Sequence, residues 1–425
     1  FNQGINMYYA FHIIESMSSF KKAEQFDSTN AMIYWAQALA YGPNINDYEY
    51  ANTPDAFQAA QKAVFYSKSC TPREMELINA MSVRYSSDST ESRKLLNRAY
   101  ANAMKKSYLL FYNDQDMGAL YADALMLQHP WNYWKHNGDA QVWTPEILSV
   151  LENVLSKNPD HPGANHYYIH SVEASHQPQK ALPSADRLGI LMPGVSHMIH
   201  MPSHIYIRTG NYLEGMKVNE AAVNGYTNYL GLFPEVQNNA PLYKIHNLHM
   251  QSACAFMKSN FEYSNKSAAA CINRIDTALL GMKAPIGNGV QYLFMTKAFG
   301  YVRYGKWDSI LQMPPINTTY NNATVLNHWA RGMALAGKNQ LPEAVIELAA
   351  MHIKMKAPDL KITGAPFNAP IAAARIAENI LEAVIAEKQN NLPKAIKLFK
   401  KAVKKEDALN YSEPADWLLP TRQYL

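Results

Sequence analysis

Small and large apolar residues recur along this chain with a helical period, and pairs of such runs are separated by short polar turns. One spacing returns repeatedly: a small residue, a large one four positions on, a small one three further, and a helix stop five beyond that. Ser16, Phe20, Ala23 and Ser28 fit it, with Ser in the stop position. Ala181, Ala185, Leu188 and Pro193 fit, as do Ile147, Leu151, Val154 and Pro159 with larger residues in the small positions. Ala395, Phe399 and Ala402 follow the rule, and Gly215, Asn219 and Ala222, with Ser264, Ala268 and Cys271, follow it in part. Ala344 and Leu348 mark one more run, with Gly332 twelve residues earlier. Small residues at this spacing let two helices approach closely, and Pro ends the second one because it cannot continue a helix. The pattern predicts antiparallel helix pairs.

Turn signals fall between the runs: Asn158-Pro159-Asp160, Gly210-Asn211, Gly305-Lys306 and Gly337-Lys338. Alternation of period two persists nowhere, so no sheet is expected. The spacing is that of the tetratricopeptide repeat, about 34 residues long. The fold class expected is therefore all-α, an α-α superhelix or tetratricopeptide-like solenoid. It reads as a single array over 1–425, with a soft division near 275–290. Longer segments at 42–56, 129–143, 230–242, 279–288 and 356–368 carry Gly, Pro and Asn. Loops of that length are often functional. The irregular strings Tyr41–Asn46, His129–Trp131 and Glu413–Trp417 are expected either to fold over the concave face and close it in part or to cap hydrophobic repeat ends.

Histidine adds candidate chemistry. Nine of the 14 histidines lie between His161 and His249. His166 and His170 form an i,i+4 pair, and so do His200 and His204, so each pair shares one helix face. The two pairs are offset by 34 residues, one full repeat, which places them on the first helices of consecutive repeats. Packed helices lie about 8–10 Å apart, so imidazoles from both can converge on one ion, and paired His at i,i+4 is a metal-binding spacing. Glu173, one turn beyond His170, is a candidate ligand, an acceptor for a His N–H, or a catalytic base. His246 and His249 come from the next repeat with less regular phase, and His246 is the further candidate ligand. The opposing expectation is a structural polar cluster copied by repeat duplication. Pro202 interrupts the second pair and predicts a kink. His161, His176 and His197 sit near helix ends and read as caps or surface residues. Arg208 is a candidate for an anionic ligand or a helix-face ion pair.

Composition narrows the function classes. Of the 425 residues, 48% are hydrophobic and 17% charged, which marks a packed chain. The net charge of +4 and a single Lys-rich helix face at 394–405 give no basis for nucleic-acid binding. No stretch of 18 or more apolar residues occurs, so no transmembrane helix is expected. Cys70, Cys254 and Cys271 form neither a disulfide framework nor a metal-type pair; the last two fall on opposite arms of one helix hairpin, where a bridge is the alternative to the two buried thiols expected. Phe1 without a Met and the abrupt end at Leu425 suggest that both ends are trimmed.

The strings HPGANHYYIHSVEAS (161–175) and ADRLGILMPGVSHMIHMPSHIYIRTGNY (185–212) resemble a family of bacterial tetratricopeptide-repeat proteins, commonly exported and functionally undescribed. The resemblance extends to FNQGINMYYAF (1–11), YWAQALAYGPNIN (34–46), ALYADALMLQHPWNYW (119–134), YKIHNLHM (243–250) and EPADWLLPTRQYL (413–425), with a departure at Phe11–Glu15. It implies a helical-repeat fold and export to the periplasm or cell envelope, and brings no reaction with it. Two functional expectations stand side by side. One is a divalent transition-metal site of Cu, Zn or Fe at His166, His170, His200 and His204 with Glu173 or His246, possessed of catalytic activity if a coordination position stays open. The other is a scaffold that holds a protein or peptide in the concave groove.

Overall fold

The computed structural model describes residues 1–48, 53–88, 90–235, 240–364 and 367–425. The expected loops 42–56, 230–242 and 356–368 each run partly outside them. The chain is 70% helical, and among the described residues no strand forms, only two isolated bridges. The helices pair antiparallel, as the repeat spacing requires, in two compact units, Phe1–Thr209 and Gly210–Leu425. The 275–290 stretch lies inside the second.

The first unit contains α1 (Asn2–Tyr9), α2 (Ile13–Glu24), α3 (Ala31–Ala40), α4 (Thr53–Phe65), α5 (Pro72–Ser82), α6 (Arg93–Leu110), α7 (Gln115–Met126), α8 (Thr144–Lys157), α9 (Pro162–Val172), α10 (Leu182–Leu191), α11 (Ser196–His200) and α12 (Pro202–Thr209). Successive helices pack on one another, α1 with α2, α3 with α4, α7 with α8 and α9 with α10. The second unit contains α13 (Tyr212–Leu232), α14 (Ala240–Met257), α15 (Phe261–Ile272), α16 (Thr277–Leu280), α17 (Ile286–Phe294), α18 (Thr296–Arg303), α19 (Trp307–Leu311), α20 (Asn321–Gly337), α21 (Leu341–Lys354), α22 (Pro370–Lys388) and α23 (Leu392–Glu406). Here α13 pairs with α14, α20 with α21 and α22 with α23, and α22 also packs on α20.

The spacing rule falls on the buried stripe of second helices. Ser16 and Phe20 are the buried residues of α2, and Ala395, Phe399 and Ala402 those of α23. Ile147, Leu151 and Val154 lie in the buried stripe of α8, and Ser264, Ala268 and Cys271 in that of α15. First helices differ because neighbours cover them on several sides. All ten residues of α3 are buried, and so is α9 from Gly163 to Val172. A helix buried all round must satisfy every polar side chain within the protein. On α9 those are Asn165, His166, His170 and Ser171.

Caps define the helix starts. Asn30, Asp114, Asn260 and Asn391 each accept a backbone N–H with the side chain, and Thr71 forms a reciprocal capping box with Glu74. Several turns between successive packed helices hold a residue in the left-handed region: Phe11 (φ 58°) between α1 and α2, Ser259 (φ 59°) between α14 and α15, Asn339 (φ 60°) between α20 and α21, and Asn390 (φ 61°) between α22 and α23. At the Gly337-Lys338 turn the left-handed residue is Asn339. Gly337 is required for a different reason, since a Cβ there would meet Trp307 Nε1 at 2.7 Å. All three cysteines are free, and Cys254 and Cys271 are buried thiols as expected.

Candidate metal centre

The first unit gathers six groups of interest: His166 and His170 from α9, Glu173 at its C-cap, His197 and His200 from α11, and His204 from α12. All are at most 5% exposed. Burial of five imidazoles and a carboxylate is costly unless each polar atom is matched, so their hydrogen-bond partners assign roles.

The Nδ1 of His166 lies 2.6 Å from the carbonyl oxygen of Tyr9. A carbonyl only accepts, so this nitrogen carries the proton and donates, leaving Nε2 with a free lone pair. The Nδ1 of His170 faces Glu173 Oε1 at 3.2 Å, and that of His204 faces Glu173 Oε2 at 2.5 Å. One carboxylate therefore fixes the same tautomer in two rings. Each then carries no proton on Nε2, and a ligand imidazole oriented by a carbonyl or carboxylate on its other nitrogen is the usual arrangement at metal sites.

Two of those three Nε2 atoms face other imidazoles. His166 Nε2 is 3.2 Å from His197 Nε2, and His204 Nε2 is 2.9 Å from His200 Nε2. His170 Nε2 is buried and has no hydrogen-bond partner. Nitrogen atoms of His166, His170 and His197 lie within 4.8 Å of one another, and so do donor atoms of His170, Glu173 and His204. Burial, then the neighbouring imidazoles, holds His166 and His197 well below the ordinary histidine range, and burial lowers His170 as well. The three rings are neutral near pH 7 and keep their lone pairs. Burial opposes charge on Glu173, but His204 and His170 outweigh it and hold the carboxyl below its ordinary range.

Two aromatic side chains cover the histidines. The Phe11 ring centroid lies 4.7 Å from that of His166, 6.1 Å from His170 and 6.0 Å from His197. The Trp131 and His170 rings meet edge to face, their centroids 5.0 Å apart. Both residues have positive φ, 58° and 61°, a conformation that costs a non-glycine residue about 1–2 kcal/mol. Trp131 donates from Nε1 to the Ile45 carbonyl at 2.8 Å, and Trp134 to the Ser171 carbonyl of α9 at 2.7 Å. The segments 42–48 and 129–143 thus fasten to each other and to α9.

The expected pairs are both formed, with changes. Pro202 does not bend one helix but divides it, ending α11 at His200 and starting α12. The break keeps His200 and His204 together. His161 caps α9 as expected, accepting Ala164 N–H, and His176 is exposed. The reading of His197 as a cap or surface residue is corrected: it is 4% exposed and faces His166. Its spacing of three from His200 and seven from His204 puts it on their face, and that signal was present in the sequence. Arg208 donates to the Ser175 carbonyl at 3.0 Å. His246 lies on α14 in the second unit, half-buried.

No family model matches the chain, and no curated protein matches it. Solved structures similar to it include a human IFIT1 dimer with PPP-AAAA at 12% identity and a TM-score of 0.38, covering 94% of this chain and 90% of that one. Yeast Tom70 is similar at 11% identity and a TM-score of 0.32, over 95% of this chain and 84% of that one. The P58(IPK) TPR domain is similar at 12% identity and a TM-score of 0.20, over 94% and 97%.

Proposed function

We propose that the first unit binds a divalent transition metal through the Nε2 atoms of His166, His170 and His197. Tyr9 and Glu173 act as the orienting acceptors. The observation that carries this reading is His170 Nε2, a buried lone pair without a partner, beside two imidazole nitrogens that face each other. A three-imidazole set suits Zn, Cu, Fe or Ni. Three protein ligands leave a position for water or a substrate oxygen, where the ion acts as a Lewis acid or lowers the pKa of bound water. Glu173 serves best as the group that fixes two rings, since both its oxygens are engaged by Nδ1 donors. His200 and His204 form a second nitrogen pair tied to the first through that carboxylate. The aromatic cover restricts access to small molecules.

Elemental analysis of tag-free protein tests the reading, beside His170→Ala and His197→Ala. One equivalent of a single transition metal in the wild type, lost in both variants with helicity retained, is the expected result. Metal-free wild type that stays empty after reconstitution with each ion overturns it. The histidines then serve as a polar core, and the helical array is read as a protein- or peptide-binding scaffold to be pursued by partner capture.

A further inference from the structure

The second unit carries a donor set of its own, apart from the buried histidines of the first. Glu378 and Glu382 stand one turn apart on one face of α22, and His352 reaches them from α21, which packs on α22. His352 Nε2 lies 2.9 Å from Glu378 Oε1 and 3.8 Å from Glu382 Oε1. One donor atom from each of the three residues falls within 4.8 Å of the other two. Close as they are, Nε2 has no hydrogen-bond partner, so neither oxygen is aligned with a proton on that nitrogen. The side chains of His352, Glu378 and Glu382 are 41%, 26% and 30% exposed, which leaves them room to turn.

Charge is unbalanced at this point. Two half-buried carboxylates one helical turn apart repel each other, and among the described residues neither has a Lys or Arg within ion-pair distance. Lys405 on α23 feels Glu378, but burial, Arg375 and Lys401 outweigh that carboxylate and lower the amine below the ordinary lysine range. The cations of α22 and α23 thus stand nearby without pairing either glutamate. A proton on His352 would balance one carboxylate. A divalent ion balances both and gives Nε2 a partner. The spacing suits one: donors about 2.1 Å from a tetrahedral ion stand about 3.4 Å from one another, and the two nitrogen–oxygen separations of 2.9 and 3.8 Å bracket that value. An ion held this way lies among its donors and needs no separate void.

We propose that His352 Nε2, Glu378 and Glu382 bind a divalent ion of the zinc type, which clips the α20–α21 pair to the α22–α23 pair. One imidazole and two carboxylates suit zinc, with water in the remaining position. Partial exposure lets this ion exchange with solvent, so it is lost on desalting and is not the tightly held equivalent of the first unit. The assignment is independent of the metal reading there.

Zinc is the probe, on the desalted full chain. Crystals soaked in zinc chloride are expected to show an anomalous peak at the zinc edge about 2.1 Å from His352 Nε2. In solution, competition against a chromogenic zinc chelator counts the weakly held ions. His352→Gln is expected to lose one weak equivalent, and Glu382→Gln to bind it at least tenfold more weakly, while their zinc-free melting temperatures do not fall. If the first-unit reading fails, the tightly held metal is missing but the His352-dependent equivalent remains. No zinc peak among the three side chains at saturating zinc overturns the proposal, and so does a zinc titration of His352→Gln identical to that of the wild type.

Discussion

Glu173 and Phe11 act on the same imidazoles by different physics. Glu173 accepts from two rings and so decides which nitrogen of each stays bare. Glu173→Gln keeps the shape but can place an amide N–H against one ring, so the tautomers are no longer both fixed. Metal affinity is expected to fall roughly 10–100-fold with the fold intact, as for other losses of orienting acceptors, and competition against a chromogenic chelator measures it. Phe11 contributes no lone pair. Phe11→Ala keeps the ligand set and removes the ring over three imidazoles, so metal should leave faster under excess chelator with little change in the amount bound at equilibrium. Unchanged release kinetics would deny Phe11 a covering role.

Among the helices, close approach depends on missing side-chain volume. Gly332 on α20 shows this: a Cβ there would lie 2.5 Å from Leu381 Cδ2 on α22, and Leu381 is fully buried with no room to retreat. Gly332→Ala is expected to destabilise the α20–α22 packing by about 1–3 kcal/mol, against a small gain in helix propensity, as read by urea denaturation. The opposite outcome, a more stable protein, would mean that α22 can shift outward at little cost. Start signals act on the same scale. Thr71→Ala removes one half of the α5 capping box and should cost about 1 kcal/mol.

For the molecule as a whole, buried neutral histidine links stability to pH. Burial pushes His249 on α14 down to about 3, against 6.5 for the exposed group. The unfolded chain takes up this proton as pH falls through 6.5, while the folded chain does so only near 3. This contribution is therefore intact above about pH 6.5 and is lost progressively between there and pH 3, at about 1.4 kcal/mol per pH unit. Denaturation midpoints measured from pH 8 to pH 4 check this, and the slope should shrink in His249→Leu. Metal bound as proposed would add a second linkage: with free ion a thousandfold above its Kd, the folded state would gain about 4 kcal/mol, so a chelator should lower the melting temperature.

The sequence by itself determined the helix pairs, the buried stripe of each second helix and the pairing of His166 with His170 and of His200 with His204. These follow from spacings of three and four residues along one helix, where neighbours in space are neighbours in sequence. Export, and any role for His246, remain expectations from the sequence alone. Packing decided the rest. The Tyr9 carbonyl that orients His166 is 157 residues away from it, and His197 meets His166 across 31. Phe11 and Trp131 arrive from separate connections, each held in a backbone conformation that no local preference selects. A spacing can state which residues share a helix face, but only the folded chain decides which lone pairs and charges are left without a partner.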